Sequence, residues 1–289
     1  MKLNRNDLCW CGSQKKYKKC HLAFDEKLEQ LKQQGKKIPT HKMIKTPEQI
    51  EGIKKAAVIN SGLLDYIEAN IKVGMTTEEI DVMAKEYTAK YGAVCADYQY
   101  MGYPKHICVS INDVVCHGIP NEQTILQEGD IVNVDATTML NGYYADASRM
   151  FMIGNVSEER RRLVEETKKC LEIGIQAAQP WAHVGDIGYA IAKYAHSKGY
   201  SVVRELGGHG VGIDFHEDPF VAHVGSKGKG MVLVPGMIIT IEPMINAGKA
   251  AVEIDPYNNW TIYTRDGSDS AQWEHTILIT EDGNEILTY

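Results

Sequence analysis

The stretch Ile131-Val132-Asn133-Val134-Asp135-Ala136-Thr137-Thr138-Met139-Leu140-Asn141-Gly142-Tyr143-Tyr144-Ala145-Asp146-Ala147-Ser148 decides the architecture. Asn141-Gly142 is the strongest short hairpin signal, because a two-residue turn of the right twist needs positive φ at both positions. With those two as the loop, Leu140 pairs with Tyr143, Thr137 with Asp146 and Asp135 with Ser148. Side chains repeat every second residue, so Asp146, Thr137 and Asp135 share one face. The two carboxylates are then diagonal neighbours, with Cα atoms about 5.5 to 8 Å apart.

Asp135 ends the run Ile131-Val132-Asn133-Val134, too apolar for a strand whose acid faces water. Two like charges in a buried sheet repel and lose hydration, at a cost of several kcal/mol unless a cation lies between them. A divalent metal removes that cost. The competing reading is a pair of surface acids on a hairpin edge.

Outward from the hairpin, helix signals alternate with strand runs. Thr46-Pro47-Glu48-Gln49 is an N-cap with a first-turn proline and a capping-box glutamine, followed by apolar Ile50, Ile53, Ala57, Leu64 and Ile67 to about Asn70. Thr76-Thr77-Glu78-Glu79 opens a second helix that Gly92 closes; Ser157 opens a third ending before Pro180, and Asp186 a fourth closed by Gly199. Strands are expected at 107–111, 131–136, 143–152, 202–206, 237–241 and 276–280. Ile80, Tyr87 and Gly92 recur as Ile187, Tyr194 and Gly199, each 107 positions later. The pattern predicts an α+β body with an antiparallel-rich sheet, built from two similar halves.

Composition is that of a globular chain: 289 residues, 44% hydrophobic and 24% charged. No segment approaches the roughly 20 consecutive apolar residues of a membrane span. Met1-Lys2-Leu3-Asn4-Arg5 lacks a signal-peptide core, so the expected compartment is the cytoplasm. In that reducing setting the seven cysteines read as thiols or metal ligands, with Cys95, Cys108, Cys116 and Cys170 as small buried hydrophobes. The net charge of −7 is uneven. Residues 1–42 hold 11 Lys/Arg against 4 Asp/Glu, which reads as a basic head meeting something anionic or as a solvated lysine-rich helix. Three regions are expected: 1–23 a zinc-binding module, 24–40 a helical linker, and 41–289 the catalytic body.

His209 in Gly207-Gly208-His209-Gly210, His216 in Phe215-His216-Glu217, Glu242 after an apolar run and Glu274 before another stand in similarly awkward places. A carboxylate-rich set with one or two imidazoles suits Mn, Fe, Co or Zn. Such sites commonly hold two ions sharing a bridging water. The glycines at 207–212 lack the spacing of a phosphate loop.

Several segments together closely resemble bacterial type I methionine aminopeptidases of the pita-bread fold. They are Gly102-Tyr103-Pro104-Lys105, Val115-Cys116-His117-Gly118-Ile119-Pro120, Asn133-Val134-Asp135, Ala145-Asp146, Gly208-His209-Gly210-Val211-Gly212, Phe215-His216-Glu217-Asp218-Pro219, Thr240-Ile241-Glu242-Pro243-Met244 and Glu274-His275-Thr276. The resemblance implies removal of the initiator methionine from nascent proteins, preferentially before a small residue, by a monomer. It implies that Asp146 and Glu274 bridge two metals, that Asp135 binds one, and that His209 with Glu242 binds the other. His117 and His216 then contact substrate, and Glu242 accepts a proton. The methionine pocket maps to Tyr100, Tyr103, Cys108, Phe215 and Trp260, whose competing reading is core packing. The resemblance departs at Asp97, where a small or thiol residue is usual, and at Met101, where a histidine often stands.

Cys9-x-Cys11, eight residues, then Cys20-His21 is a four-ligand tetrahedral set for one structural Zn. Asn4 to His21 resembles the zinc-binding tail of the preprotein-translocase motor ATPase. The competing reading is free thiols in a disordered arm. Lys15, Lys16, Lys18 and Lys19, interleaved with Tyr17, are expected to meet ribosomal RNA or a ribosomal protein.

Prolidases and aminopeptidase P share the ligands but usually carry a large N-terminal domain and lack the Cys116 to Pro120 run. A type II enzyme needs a helical insertion between His216 and Glu242, where only 25 residues lie. Non-enzymatic relatives on the same scaffold lose ligands that are all present here.

Overall fold

The computed structural model describes residues 3–289; the first two residues of the expected zinc module, Met1 and Lys2, lie outside the described residues. Helix α1 (Leu22–Gln33) follows the cysteine segment. The first half of the body holds α2 (Pro47–Glu68), α3 (Thr77–Lys90), β1 (Val94–Cys95), β2 (Cys108–Ile111), β3 (Val114–Cys116), β4 (Ile131–Leu140) and β5 (Tyr143–Met152). The second holds α4 (Glu158–Ala177), α5 (Val184–Ser197), β6 (Ser201–Val202), β7 (Gly207–Gly210), β8 (Glu217–Ala222), β9 (Ile238–Ile241), β10 (Met244–Asn246), β11 (Val252–Ile254), β12 (Ile262–Thr264), β13 (Ser270–Gln272), β14 (His275–Ile279) and β15 (Asn284–Ile286).

Every ladder between these strands is antiparallel. One sheet runs β1-β4-β2 with β5 on β4, and the largest runs β15-β14-β9-β7-β8. The hairpin β4–β5 has the register its turn dictates, Leu140 opposite Tyr143 and Thr137 opposite Asp146. Asn141 and Gly142 sit at φ 53° and 82°, the doubly positive turn.

The two halves repeat. Helices α3 and α5 are 14 residues each and start 107 positions apart, and the two-residue strands β1 and β6 keep that offset. Ile80 and Ile187, corresponding residues, are both fully buried. Each half lays two helices on its sheet. Leu63, Leu64 and Ile67 of α2 pack on Val132, Val134 and Ala147, while Leu163, Leu171, Ile187 and Ile191 of α4 and α5 pack on Ile239, Ile241 and Ile277. Burying such side chains contributes about 1.5–3 kcal/mol each.

Three details differ from expectation. Helix α5 starts two residues before Asp186, whose Oδ2 instead accepts the N–H of His183 from inside the first turn. The strand expected over 202–206 shortens to Ser201–Val202, which pair with Asn246 and Ile245 of β10; one further bond, from the Val203 N–H to the Met244 carbonyl at 3.1 Å, ends the contact. Helix α1 and the lysine-containing segment after it are docked on the body: Leu28 is 4% exposed within the main core, Phe24 packs there too, and Lys37 bridges to Met231. Among the described residues no helix is long and apolar enough to cross a membrane.

Candidate metal centre and active site

The two large sheets meet where β5 lies against β14, and the acids gather at that seam. The N–H of Glu274 donates to the Ser148 carbonyl at 3.1 Å, and the N–H of Asp146 to Thr276 Oγ1 at 3.1 Å. Thr276 and Thr288 hydroxyls both donate to the Asp146 carbonyl, at 2.8 and 3.0 Å. The backbone around Asp146 is therefore fixed from the opposite half.

His209 arrives on β7, a strand squeezed between β8 and β9. A Cβ at Gly208 would stand 2.3 Å from the Thr240 carbonyl oxygen, and one at Gly210 2.3 Å from that of Asp218. The glycines allow this close approach, and phosphate binding has no part in it. His209 Nδ1 lies 2.9 Å from the Gly210 carbonyl, an acceptor only, so Nδ1 carries the proton and Nε2 keeps its lone pair for the cavity. That Nε2 lies 3.7 Å from both Asp146 Oδ2 and Glu242 Oε1.

Ligand atoms of Asp146, His209 and Glu274 all fall within 4.8 Å of one another. Asp135 and Glu242 line the same cavity, of about 470 Å³. Burial, then the charge of Asp146, pushes the Asp135 carboxyl well above the usual range. Burial and neighbouring acids do the same to Glu242 and Glu274, and burial lifts Asp146 to about 6. Burial holds His209 down at about 4, a neutral imidazole. Asp146 Oδ1 and Glu274 Oε1 are buried without a hydrogen-bond partner. Four crowded carboxylates, orphaned oxygens and an imidazole lone pair fit divalent cations, whose charge offsets the repulsion.

The aromatic candidates line the same cavity. Tyr100 stacks on His216 with centroids 5.1 Å apart and meets Phe215 at a tilt at 4.6 Å, while Tyr103 meets Trp260 edge-on at 5.1 Å. Cys108 and His117 complete that side. His117 is held at φ 54°, a strained left-handed conformation for a residue with a Cβ, and such strain concentrates at functional positions. His216, pushed down to about 4 by burial and then by His209, has Nδ1 3.0 Å from the Tyr100 hydroxyl. Sequence reading missed Leu206, Phe220 and Met244 in the cavity wall, and the Glu242 supports: Thr240 Oγ1 at 2.7 Å, Gln272 Nε2 at 3.3 Å and His223 Nε2 accepting its N–H at 3.1 Å. Only the 240–242 spacing within one strand end was a local signal for them.

A second cluster sits in the head. Cys9 and Cys20 Sγ lie 3.1 and 3.2 Å from His21 Nδ1, and Cys11 Sγ lies 3.6 Å from Cys20 Sγ. Sulfurs on a tetrahedral zinc are about 3.8 Å apart, so the donor set fits that ion. None of the seven cysteines is in a disulfide. The four lysines are exposed, but Tyr17 turns inward and donates to Asp25 Oδ2 at 2.7 Å, so it is not part of an exposed contact surface. Asp25 also accepts from Trp10 Nε1 at 3.0 Å and pairs with His41 at 3.0 Å, tying head to body.

Residues 51–281 match the sequence model of metallopeptidase family M24. The chain belongs to that family. Residues 5–23 match the SEC-C motif. A methionine aminopeptidase of Chlamydia trachomatis serovar D is 46% identical over 293 residues, 99% of each chain. That of Escherichia coli K12 is 44% identical over 85% of this chain and 93% of its own. The crystal structure of methionine aminopeptidase from Rickettsia prowazekii, 43% identical, superposes with a TM-score of 0.84 over 85% of this chain and 99% of that one. A prolidase from Pyrococcus furiosus, 22% identical with a TM-score of 0.67 over 86% of this chain and 65% of its own, shares the fold alone. The M24 chain is thus a metallopeptidase of pita-bread architecture carrying a small cysteine-rich head.

Proposed function

We propose that this M24 chain is a methionine aminopeptidase, removing N-terminal methionine from nascent chains, preferentially before a small residue. The observation that carries this reading is the seam itself, where donors from both halves converge beside an aromatic, thiol-lined pocket suited to a polarizable thioether. The domain division into a zinc head at 1–23, a connecting segment at 24–40 and a catalytic body at 41–289 belongs to the same proposal, as does a monomeric state.

In it, Asp135, Asp146, His209, Glu242 and Glu274 would together hold two divalent ions; Mn, Fe, Co and Zn all suit the set. The chemistry that such ions supply when bound is an acidified water and a polarised carbonyl. Glu242, fixed by Thr240 and Gln272, accepts the proton of the attacking water and passes it toward the leaving amine. His216 and His117, neutral because burial depresses both, donate N–H hydrogen bonds to the substrate carbonyl as negative charge develops on its oxygen. Tyr100, Tyr103, Cys108, Phe215 and Trp260 enclose the methionine side chain and exclude water.

The test is methionine release from Met-Ala-Ser against Met-Lys-Ser and Xaa-Pro peptides, with and without chelation. Fast, chelator-sensitive release from Met-Ala-Ser alone is expected; preference for Xaa-Pro would replace this reading with a prolidase-type activity.

In the head, Cys9, Cys11, Cys20 and His21 hold one structural zinc, and Lys15, Lys16, Lys18 and Lys19 meet the ribosome. Because α1 is docked on the body, the informative variant changes the four lysines to glutamine and leaves residues 1–40 in place. Ribosome co-sedimentation should weaken with a shallower salt slope; an unchanged profile rules the contact out.

A further inference from the structure

One polar group on the aromatic side of the cavity has no part in that chemistry. Asp97 follows β1, is 8% exposed and lines the cavity with Tyr103, Cys108 and Trp260. Its Oδ2 accepts the Thr137 N–H at 3.1 Å, and Thr137 stands opposite Asp146 in the hairpin. The backbone is pinned as well: Ala96 N–H donates to the Thr137 carbonyl at 2.8 Å, and Tyr100 N–H to the Asp97 carbonyl at 3.0 Å. The carboxyl is therefore held through Oδ2, and among the described residues its Oδ1 takes no hydrogen bond from another residue.

A carboxyl beside the aromatic and thiol side chains has consequences for what fills that part of the cavity. When methionine covers it, a buried polar group goes unpaired, which costs about 1–3 kcal/mol. When the side chain carries a carboxamide, the pairing works in either protonation state. An ionised carboxyl accepts from the amide N–H, and a protonated one donates to the amide oxygen. Glutamine has the same unbranched length as methionine and presents that group where methionine has its sulfur and methyl. A glutamate there would repel the neighbouring acids.

We propose that Asp97 is a specificity-determining residue that extends the first-residue pocket from methionine to the isosteric glutamine. The geometry favours this over a metal role, because one of the Asp97 oxygens is committed to the Thr137 backbone N–H.

The assignment rests on the methionine aminopeptidase reading, and its test separates the two. Metal-loaded wild type, D97N and D97V are assayed on Met-Ala-Ser, Gln-Ala-Ser and norleucine-Ala-Ser. If wild type fails on Met-Ala-Ser, the parent reading fails and this assignment with it. If it succeeds, the ratio of kcat/KM for Gln-Ala-Ser to that for norleucine-Ala-Ser, taken within each enzyme so that folded fraction cancels, should fall roughly tenfold in D97V, the scale of one hydrogen bond. The ratio should survive largely intact in D97N. Equal ratios in wild type and D97V overturn the assignment. So does weakened metal binding by D97N and D97V in calorimetric titration, which would move Asp97 into the ligand set.

Discussion

The head draws its four donors from the 13 residues between Cys9 and His21, whereas the body draws five from Asp135 to Glu274, a span of 140 residues, at or beside five different strands. In the head the buried apolar cluster is little more than Cys9, Cys11 and Tyr17 with Trp10 and Leu22 around them. So small a core offsets little chain entropy, and a metal held by the four donors would be the main source of its folding energy. In the body the order is reversed. Helices and sheets bury large continuous cores on both sides of the seam, and that folding free energy forces four carboxylates into one cavity against their repulsion. On the proposed reading, a metal would organise the first cluster, whereas the second is organised in advance and would only be neutralised by metal.

The sharpest way to break this contrast is Asp146→Asn. Activity on Met-Ala-Ser should fall by about 10³-fold or more, the scale of losing a key charge-stabilising group. The melting temperature of the metal-free protein should stay level or rise, because one repelling charge has gone. A large drop in that temperature would mean that the acids hold the fold together. Next is Cys11→Ser, which should remove the head's zinc and expose residues 5–23 to hydrogen exchange. Exchange in β4, β5 and β14 should stay slow; if it accelerates, the body depends on the head's metal. Smallest is Leu28→Ala, which sharpens the boundary between the regions. It should cost about 2–4 kcal/mol in chemical denaturation, as for a buried leucine, if α1 belongs to the body's core. A loss under about 0.5 kcal/mol, typical of surface positions, would make α1 a tether.

What the sequence made legible follows the same division. Local signals read correctly: Asn141-Gly142 set the hairpin register, and Thr46 and Thr76 cap their helices with Gln49 and Glu79 in return. The CxC and Cys-His spacing likewise brought four donors together within one short segment. Features that depend on distant partners were silent. Nothing near His223 says that its Nε2 accepts the Glu242 N–H, and nothing near Gly208 says that the Thr240 carbonyl lies against it. The docking of α1 had a signal that its lysines outweighed. Phe24, Leu28 and Leu31 follow a helical spacing of four and three, and all three pack on the core. The edge between Val202 and Leu206 failed because apolar content there serves the cavity wall and a neighbouring core cluster, with β10 too short to extend the ladder.

The 107-residue offset has an outcome for how the chain can be divided. A cut in the turn around Asn155, between β5 and α4, would leave Asp135 and Asp146 on one fragment and His209, Glu242 and Glu274 on the other. Neither piece would own a complete reaction centre, yet each would keep a sheet with its covering helices. Mixing them should restore turnover through reassembly across the Asp146–Thr276 contact, making the molecule a natural split enzyme whose output reports the docking of its two parts.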